Sequence, residues 1–573
     1  MKNFLKNTFS RLLSIIIIFI FFLVLVTILI PKEKEIIVKE NSILKIKLEE
    51  NILDRTSGNP LPQINGLSLS TANNIELKEI LDNIEKAKLD EKIKGIYLNI
   101  SGLNAGLSNV EEIREKLLEF KESGKFIYSY SEVYTQLSYY LSSVSDSIFL
   151  NPQGMVEFNG FSAGVLFYKD LLDKIGYDVQ VIRHGKFKSA VEPYMYNGMS
   201  DENRGQLEKL LNSMSDVINV GVSKQRSIKE SKINEIINNL KLNSPHTCME
   251  LNFVDELRYE DEVLSFLKQK SENIIDFQEY LNVKSEKSIS ENKIAIIYAS
   301  GAINTGEGSY NSIGSETTVQ AIREAGEDEK VKAIVLRVNS PGGSALASDI
   351  ILRELNLAKQ KKKIVVSMGD YAASGGYYIS CNADKIFANH TTLTGSIGVF
   401  GIVPNSEKLL NEKLGVYVDT VNTHKYSDIG RGNRKLTNFE LDVIQESVED
   451  IYETFITHVS EGRGMSKLDV DKIGQGRVWS GIDALEVGLI DQIGGLEDAI
   501  VSAAELSDLE DYRVVSLPKK TDEIEELLKG LTMKQNVFLK AILNVSDETI
   551  EQIKFLNSRD RIQTILPYII DIH

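Results

Sequence analysis

Along the chain, apolar positions first form one unbroken block and then two similar series of short β-branched runs and amphipathic segments. The block is "LLSIIIIFIFFLVLVTILI", residues 12–30, 19 residues with only Ser14 and Thr27 polar. At about 1.5 Å per residue it spans a hydrocarbon core of roughly 30 Å. Farther on, "VKAIVLRVN" (331–339) reads as a buried strand. "ALASDIILRELNLAKQ" (345–360) spaces its apolar residues three and four apart, as a helix does, and "KKIVVSM" (362–368) is the next strand. This alternation predicts parallel β-α units joined by crossover helices.

The same series occurs twice. "NSILKIKL" (41–48) resembles "NKIAIIY" (292–298), a strand opening each half. "KIKGIYLNISG" (92–102) aligns with "KVKAIVLRVNS" (330–340), and "YYLSSVSDSIFLNP" (139–152) with "YYISCNADKIFANH" (377–390) at the same offset. The halves close on "LNFVDEL" (251–257) and "VGLIDQIGG" (487–495). A period of about 240 residues is too long for a solenoid and indicates a duplicated domain. The expected organisation is a tail and transmembrane anchor over 1–31, a first α/β domain over 32–275 and a polar linker over 276–291. A second α/β domain follows over 292–505, then a helical tail over 506–573, where "TDEIEELLKGL" (521–531) carries the helical pattern.

Charge adds two constraints. The formal net charge of −17 argues against nucleic acid as a partner, since its binders need a dense cationic face. Lys2, Lys6 and Arg11 precede the apolar block, whereas "PKEKE" after it is balanced. The positive-inside bias leaves the N-terminus in the cytoplasm and the body outside it. No small-x-small cleavage pattern precedes Pro31, so an uncleaved anchor is expected rather than a signal peptide. Two cysteines, Cys248 and Cys381, form neither a disulfide framework nor a structural zinc site.

The halves differ where chemistry would sit. "NSPGGSA" (339–345) of the second half stands opposite "SGLNAGL" (101–107), and Ser374 in "GDYAASGGYY" (369–378) stands opposite Gln136. The first half instead carries "RHGKFKSAVEPY" (183–194). A serine hydroxyl needs a base to become a nucleophile. Lys188, among Phe187, Ala190, Val191 and Pro193, is suited to that role only if burial keeps its amine neutral. From local sequence alone the stronger reading is a snorkelling surface lysine, which describes most lysines, and a triad through His184 or His390 remains open. The glycine pair is a tight turn, or an oxyanion hole in which N–H groups of Gly343 and Gly375 meet the developing charge.

"GDYAASGGYYIS", "LTGSIGVFG" (393–401), "GKFKSAVEPY" (185–194) and "GRVWSGIDALEVGLID" (476–491) together resemble the long, duplicated form of bacterial signal peptide peptidase A. "NSPGG" followed by "AAS" is also similar to Clp protease subunits and, more distantly, to crotonases. The resemblance implies two tandem crotonase-like domains and a Ser/Lys serine peptidase. Ser374 would be the nucleophile, Lys188 the general base and Ser396 the residue orienting the lysine, with Gly343 and Gly375 as oxyanion donors. It implies no metal or cofactor, apolar peptides such as cleaved signal peptides as substrates, and a homotetramer at the cytoplasmic membrane with an extracytoplasmic body. Clearance of misfolded envelope proteins, a silent membrane scaffold and an acyl-CoA enzyme of crotonase type are the competing expectations.

Overall fold

Both opening strand signals become interior strands, each paired in parallel on both sides. The computed structural model describes residues 36–56, 63–65, 68–70, 74–284, 290–309, 311–520 and 562–565. The apolar block at 12–30 lies outside the described residues, as does the helical pattern at 521–531. Among the described residues no helix is long and apolar enough to cross a membrane.

In the first half, six strands lie in the order Glu256–Leu257, Ser147–Val156, Phe126–Tyr134, Ile93–Asn99, Ser42–Ile46, Ile274–Asp276, and every pairing is parallel. The second half repeats that order through Gln492–Ile493, Lys385–Ala388, Lys363–Ala373, Val331–Ser340, Lys293–Ser300 and Arg513–Leu517. Each sheet is covered on both faces. Ala295 and Ile297 enter one core cluster while Ile294 and Ile296 enter another on the opposite face. That double burial explains why these strands read as continuous apolar runs instead of alternating ones.

Two expectations about the domain edges need correction. The segment after 275 does not begin as a linker: Ile274–Asp276 pairs with Ser42–Ile46, and the helix Phe277–Leu281 buries Phe277 and Tyr280. The tail after 505 is not helical where it is described. Arg513–Leu517 is the edge strand beside Lys293–Ser300, the counterpart of Ile274–Asp276, and 562–565 is also a strand. A five-residue run, "RVVSL", with two adjacent valines, fits a pleated edge better than a helix.

The two halves are joined by more than the connecting chain. Asp178–His184 of the first half pairs antiparallel with Val399–Asn405 of the second over seven positions, from His184↔Val399 to Asp178↔Asn405. Farther back, the buried guanidinium of Arg337 receives first-half partners: Asp54 at 2.7 Å, Glu112 at 2.8 Å and Asn109 at 3.2 Å. Glu112 also accepts the Leu496 N–H at 2.7 Å, at the start of a second-half helix. Ala373 and Leu393 of the second half pack in the first half's main core. Cys248 and Cys381 are separate buried thiols.

Candidate active site

Ser374 sits where the strand Lys363–Ala373 ends and the helix Gly375–Ser380 begins. The turn leaves no room for ordinary side chains or dihedrals. Ser374 has φ 57° and ψ −112°, a region that non-glycine residues rarely occupy and that stores strain. The surrounding fold holds it there: its N–H donates to the Gly395 carbonyl at 2.7 Å, and its carbonyl accepts from Tyr378 N–H at 2.8 Å. A Cβ on Gly376 would lie 2.7 Å from the Ser340 carbonyl oxygen, so glycine lets the helix lie against the neighbouring strand.

Lys188 arrives from the other half. The strand Asp178–His184 ends four residues before it and is zipped to the strand that begins three residues after Ser396. This pairing delivers the lysine turn to the Ser396 turn. Phe187 N–H donates to the Gln475 carbonyl at 3.0 Å. Two glycines admit the lysine stem: a Cβ on Gly476 (φ +81°) would lie 2.6 Å from Lys188 Cβ, and one on Gly398 3.3 Å from Lys188 Cδ.

The three polar side chains then meet with no water-accessible surface. Lys188 Nζ lies 2.7 Å from Ser374 Oγ, 3.0 Å from Ser396 Oγ and 3.0 Å from the Ser396 carbonyl oxygen, and all three residues are fully buried. Among the described residues no carboxylate pairs with Lys188. Burial, the sole cause, pushes the Lys188 amine well below the usual ammonium range. An amine next to a hydroxyl in an enclosed, apolar setting can exchange a proton with it.

The sequence matches the profile of peptidase family S49 twice, over residues 119–273 and 356–510. The chain belongs to peptidase family S49. A second match, to ClpP-like SDH-type serine proteinases, covers 294–409. Protease 4 of Haemophilus influenzae is 38% identical over 447 residues, which cover 75% of this chain and 72% of that protein. Protease 4 of Salmonella typhi is 37% identical, covering 82% and 78% respectively. A protein of Enterococcus faecium named putative signal peptide peptidase SppA is 36% identical, covering 48% of this chain and 80% of its own. The chain is thus a serine peptidase with two tandem S49 domains of ClpP-like fold.

Within this S49 peptidase the remaining candidates separate. Gly343 lies mid-strand in Gly342–Ser344, where a Cβ would come within 2.1 Å of the Ile303 carbonyl oxygen. Gly375 is the first helical residue after Ser374. Gln136, opposite Ser374 in the repeat, uses its side-chain oxygen to accept Gly160 N–H at 2.8 Å. His184 turns elsewhere: its Nδ1 meets Glu449 at 2.5 Å, and its ring stacks on Tyr452 with centroids 3.6 Å apart. His390 bonds Glu111 at 3.0 Å.

The lysine turn is braced by residues that no sequence motif marks. Arg183 donates to the Lys188 carbonyl at 3.3 Å, and Gln206 to the Phe187 carbonyl at 3.2 Å. Gln206 also accepts Val478 N–H from the second half at 3.3 Å. Fully buried Glu192 accepts from Ser200 Oγ at 2.6 Å and Asn203 Nδ2 at 3.0 Å. Glu192 in "AVEPY" carried one usable signal: a carboxylate between apolar residues and proline needs partners once buried.

Proposed function

We propose that this peptidase cleaves peptide bonds through a Ser/Lys dyad shared between its two domains, with Ser374 as nucleophile and Lys188 as general base. The observation that carries the reading is the 2.7 Å separation of Lys188 Nζ from Ser374 Oγ inside a fully buried site. A neutral amine has two hydrogens and one lone pair. Two of the three contacts of Nζ can accept those hydrogens: the Ser396 carbonyl oxygen, an acceptor only, and the Ser396 hydroxyl oxygen. The lone pair is then left for the Ser374 O–H. Ser396 thereby orients the base.

In the first step Lys188 takes the hydroxyl proton as Ser374 Oγ bonds to the substrate carbonyl carbon. The carbonyl oxygen becomes an oxyanion, met by the N–H groups of Gly343 and Gly375; such donors contribute about 3 kcal/mol each. The ammonium returns its proton to the departing amine, leaving an acyl-enzyme on Ser374. The same neutral amine then activates the water that releases the acyl group.

The substrates in this reading are apolar peptides, cleaved signal peptides foremost, as the name of the Enterococcus relative has it. The apolar block at 12–30 with Lys2, Lys6 and Arg11 before it supports a single membrane anchor with a cytoplasmic N-terminus. Anchoring places the catalytic body beside the bilayer that retains such peptides, and a homotetramer would enclose its sites against folded proteins. The deciding experiment is labelling with a serine-directed fluorophosphonate and mapping of the modified residue. Ser374 is labelled in the parent chain and not in Lys188→Ala; equal labelling of both rejects the dyad.

A further inference from the structure

Gln206 lies on the first-half helix Asp201–Arg226 and is 3% exposed. Its Nε2 donates to the Phe187 carbonyl at 3.2 Å and to Ser189 Oγ at 3.1 Å, the residues on either side of Lys188, and meets Asn203 Oδ1 at 3.3 Å. Its Oε1 accepts the N–H of Val478 at 3.3 Å. A carbonyl only accepts and a backbone N–H only donates, so Phe187 and Val478 fix which way the amide points. Val478 belongs to the edge strand Val478–Ser480 of the second-half sheet, which pairs with Leu393–Gly395. Both serine turns hang on these two segments: the Gly395 carbonyl accepts Ser374 N–H and the Arg477 carbonyl accepts Ser396 N–H, each at 2.7 Å. One side chain therefore spans from the turn of the base to the strand beside the nucleophile.

The internal repeat supplies a comparison. The helix Asp201–Arg226 is capped by Ser200, and its counterpart Asn438–Arg463 by Thr437. Six residues beyond each cap stand buried Gln206 and Val443, which is 42% exposed. The amide is present in the half that holds the lysine and absent from the half that does not.

We infer that Gln206 is a positioning residue that acts through Lys188, setting the distance of the lysine turn from the two serine turns and keeping the amine dry. The inference rests on the Ser374/Lys188 reading of the site. Among the described residues, none of the hydrogen bonds of Gln206 goes to Ser374, Ser396 or the Lys188 amine. Without the amide, the Phe187 carbonyl and the Val478 N–H lose this partner, and buried groups in that condition recruit water or move. Either course eases the desolvation that holds Lys188 neutral.

The test measures kcat and KM for an apolar peptide ester across pH in the full chain, in Gln206→Met and in Ser213→Ala. Methionine fills the space of glutamine without its amide. Ser213 Oγ donates to Ser480 Oγ at 2.9 Å, so its variant removes a contact between the same helix and the same strand away from the lysine turn. Gln206→Met should lower kcat about tenfold or more and keep KM within about twofold. It should also move the midpoint of the kcat/KM profile alkaline by about one pH unit. Ser213→Ala should leave that midpoint in place. A midpoint unmoved in Gln206→Met, or moved equally in Ser213→Ala, overturns the inference. Gln206→Asn, an amide one methylene too short to reach both partners, carries the same expectation and replaces Gln206→Met if that variant does not fold. Lys188→Ala keeps the two questions apart. Turnover there with the parent's pH profile defeats the dyad, whereas an inactive Lys188→Ala beside an unmoved midpoint in Gln206→Met defeats only the role of Gln206.

Discussion

The Lys188 amine lies 2.7 Å from Ser374 Oγ across a sequence separation of 186 residues. No element near either residue makes that contact by itself. It depends on the seven-position ladder between Asp178–His184 and Val399–Asn405, which fixes one half's turn against the other's. Shifting that ladder by one position would move the lysine by about 3.4 Å, enough to lose the hydrogen bond. Catalysis in the proposed mechanism is therefore a property of the register between the repeats.

Removing either member of the pair tests that directly. Ser374→Ala and Lys188→Ala are each expected to lower kcat/KM for an apolar peptide ester by about 10⁴-fold or more. Circular dichroism and the thermal midpoint should show both variants folded. Residual activity near the parent level in Lys188→Ala rejects lysine as the base.

The pH profile follows from the direction of the lysine shift. Burial places the ammonium-to-amine transition well below its ordinary value, and only the neutral amine accepts a proton. kcat/KM should therefore rise with pH through that lowered transition and then level off. Lys188→Arg keeps the cation at all accessible pH and should be inactive throughout. A parent profile that falls as pH rises over the same range would contradict the assignment.

Stability carries the same signature. In the unfolded chain Lys188 stays protonated up to about pH 10.4, whereas in the folded protein it loses its proton earlier. Between the two transitions the unfolded state binds one more proton, so stability rises with pH by up to about 1.4 kcal/mol per unit. Below the lower transition both states are protonated and that slope vanishes. Urea titrations across pH should show this increment in the parent and lack it in Lys188→Met.

His184→Ala should keep kcat/KM within about fivefold of the parent, because its ring is committed to Glu449 and Tyr452. A collapse of activity in a folded variant would revive the histidine triad.

Breaking the buried ionic cluster should be costly. Asp54→Ala leaves the Arg337 guanidinium, fully buried, short of one carboxylate, and loss of a buried partner costs about 3–5 kcal/mol. Equilibrium unfolding in urea measures it, and a loss below about 1 kcal/mol would mean that Glu112 and Asn109 suffice.

The fold was legible where a signal was local or repeated. Strands such as Val331–Ser340 announced themselves as long apolar runs, and the duplication followed from aligned strings. Ser374 stood out because small residues clustered around a turn. Lys188 was set apart from a surface lysine only through the resemblance to a family, since the room for its stem is left by Gly398 and Gly476, both in the other half. The ladder between the halves leaves no periodic trace: strand pairing at a separation of more than 200 residues is not encoded in either segment alone. The edge strand at Arg513–Leu517 was hidden by the helical pattern just after it. Arg337 within "IVLRVN" was a readable anomaly, because a cation in a buried strand requires anions brought from elsewhere.

That cation also orders the events of biosynthesis. The ribosome releases Asp54, Asn109 and Glu112 well before Arg337 is made, so the leading half emerges with two carboxylates prepared for a counter-ion not yet translated. Until it arrives those carboxylates favour water over the interior. In the proposed mechanism a nascent chain therefore stays inactive at least until Arg337 and Ser374, both in the trailing half, have been translated.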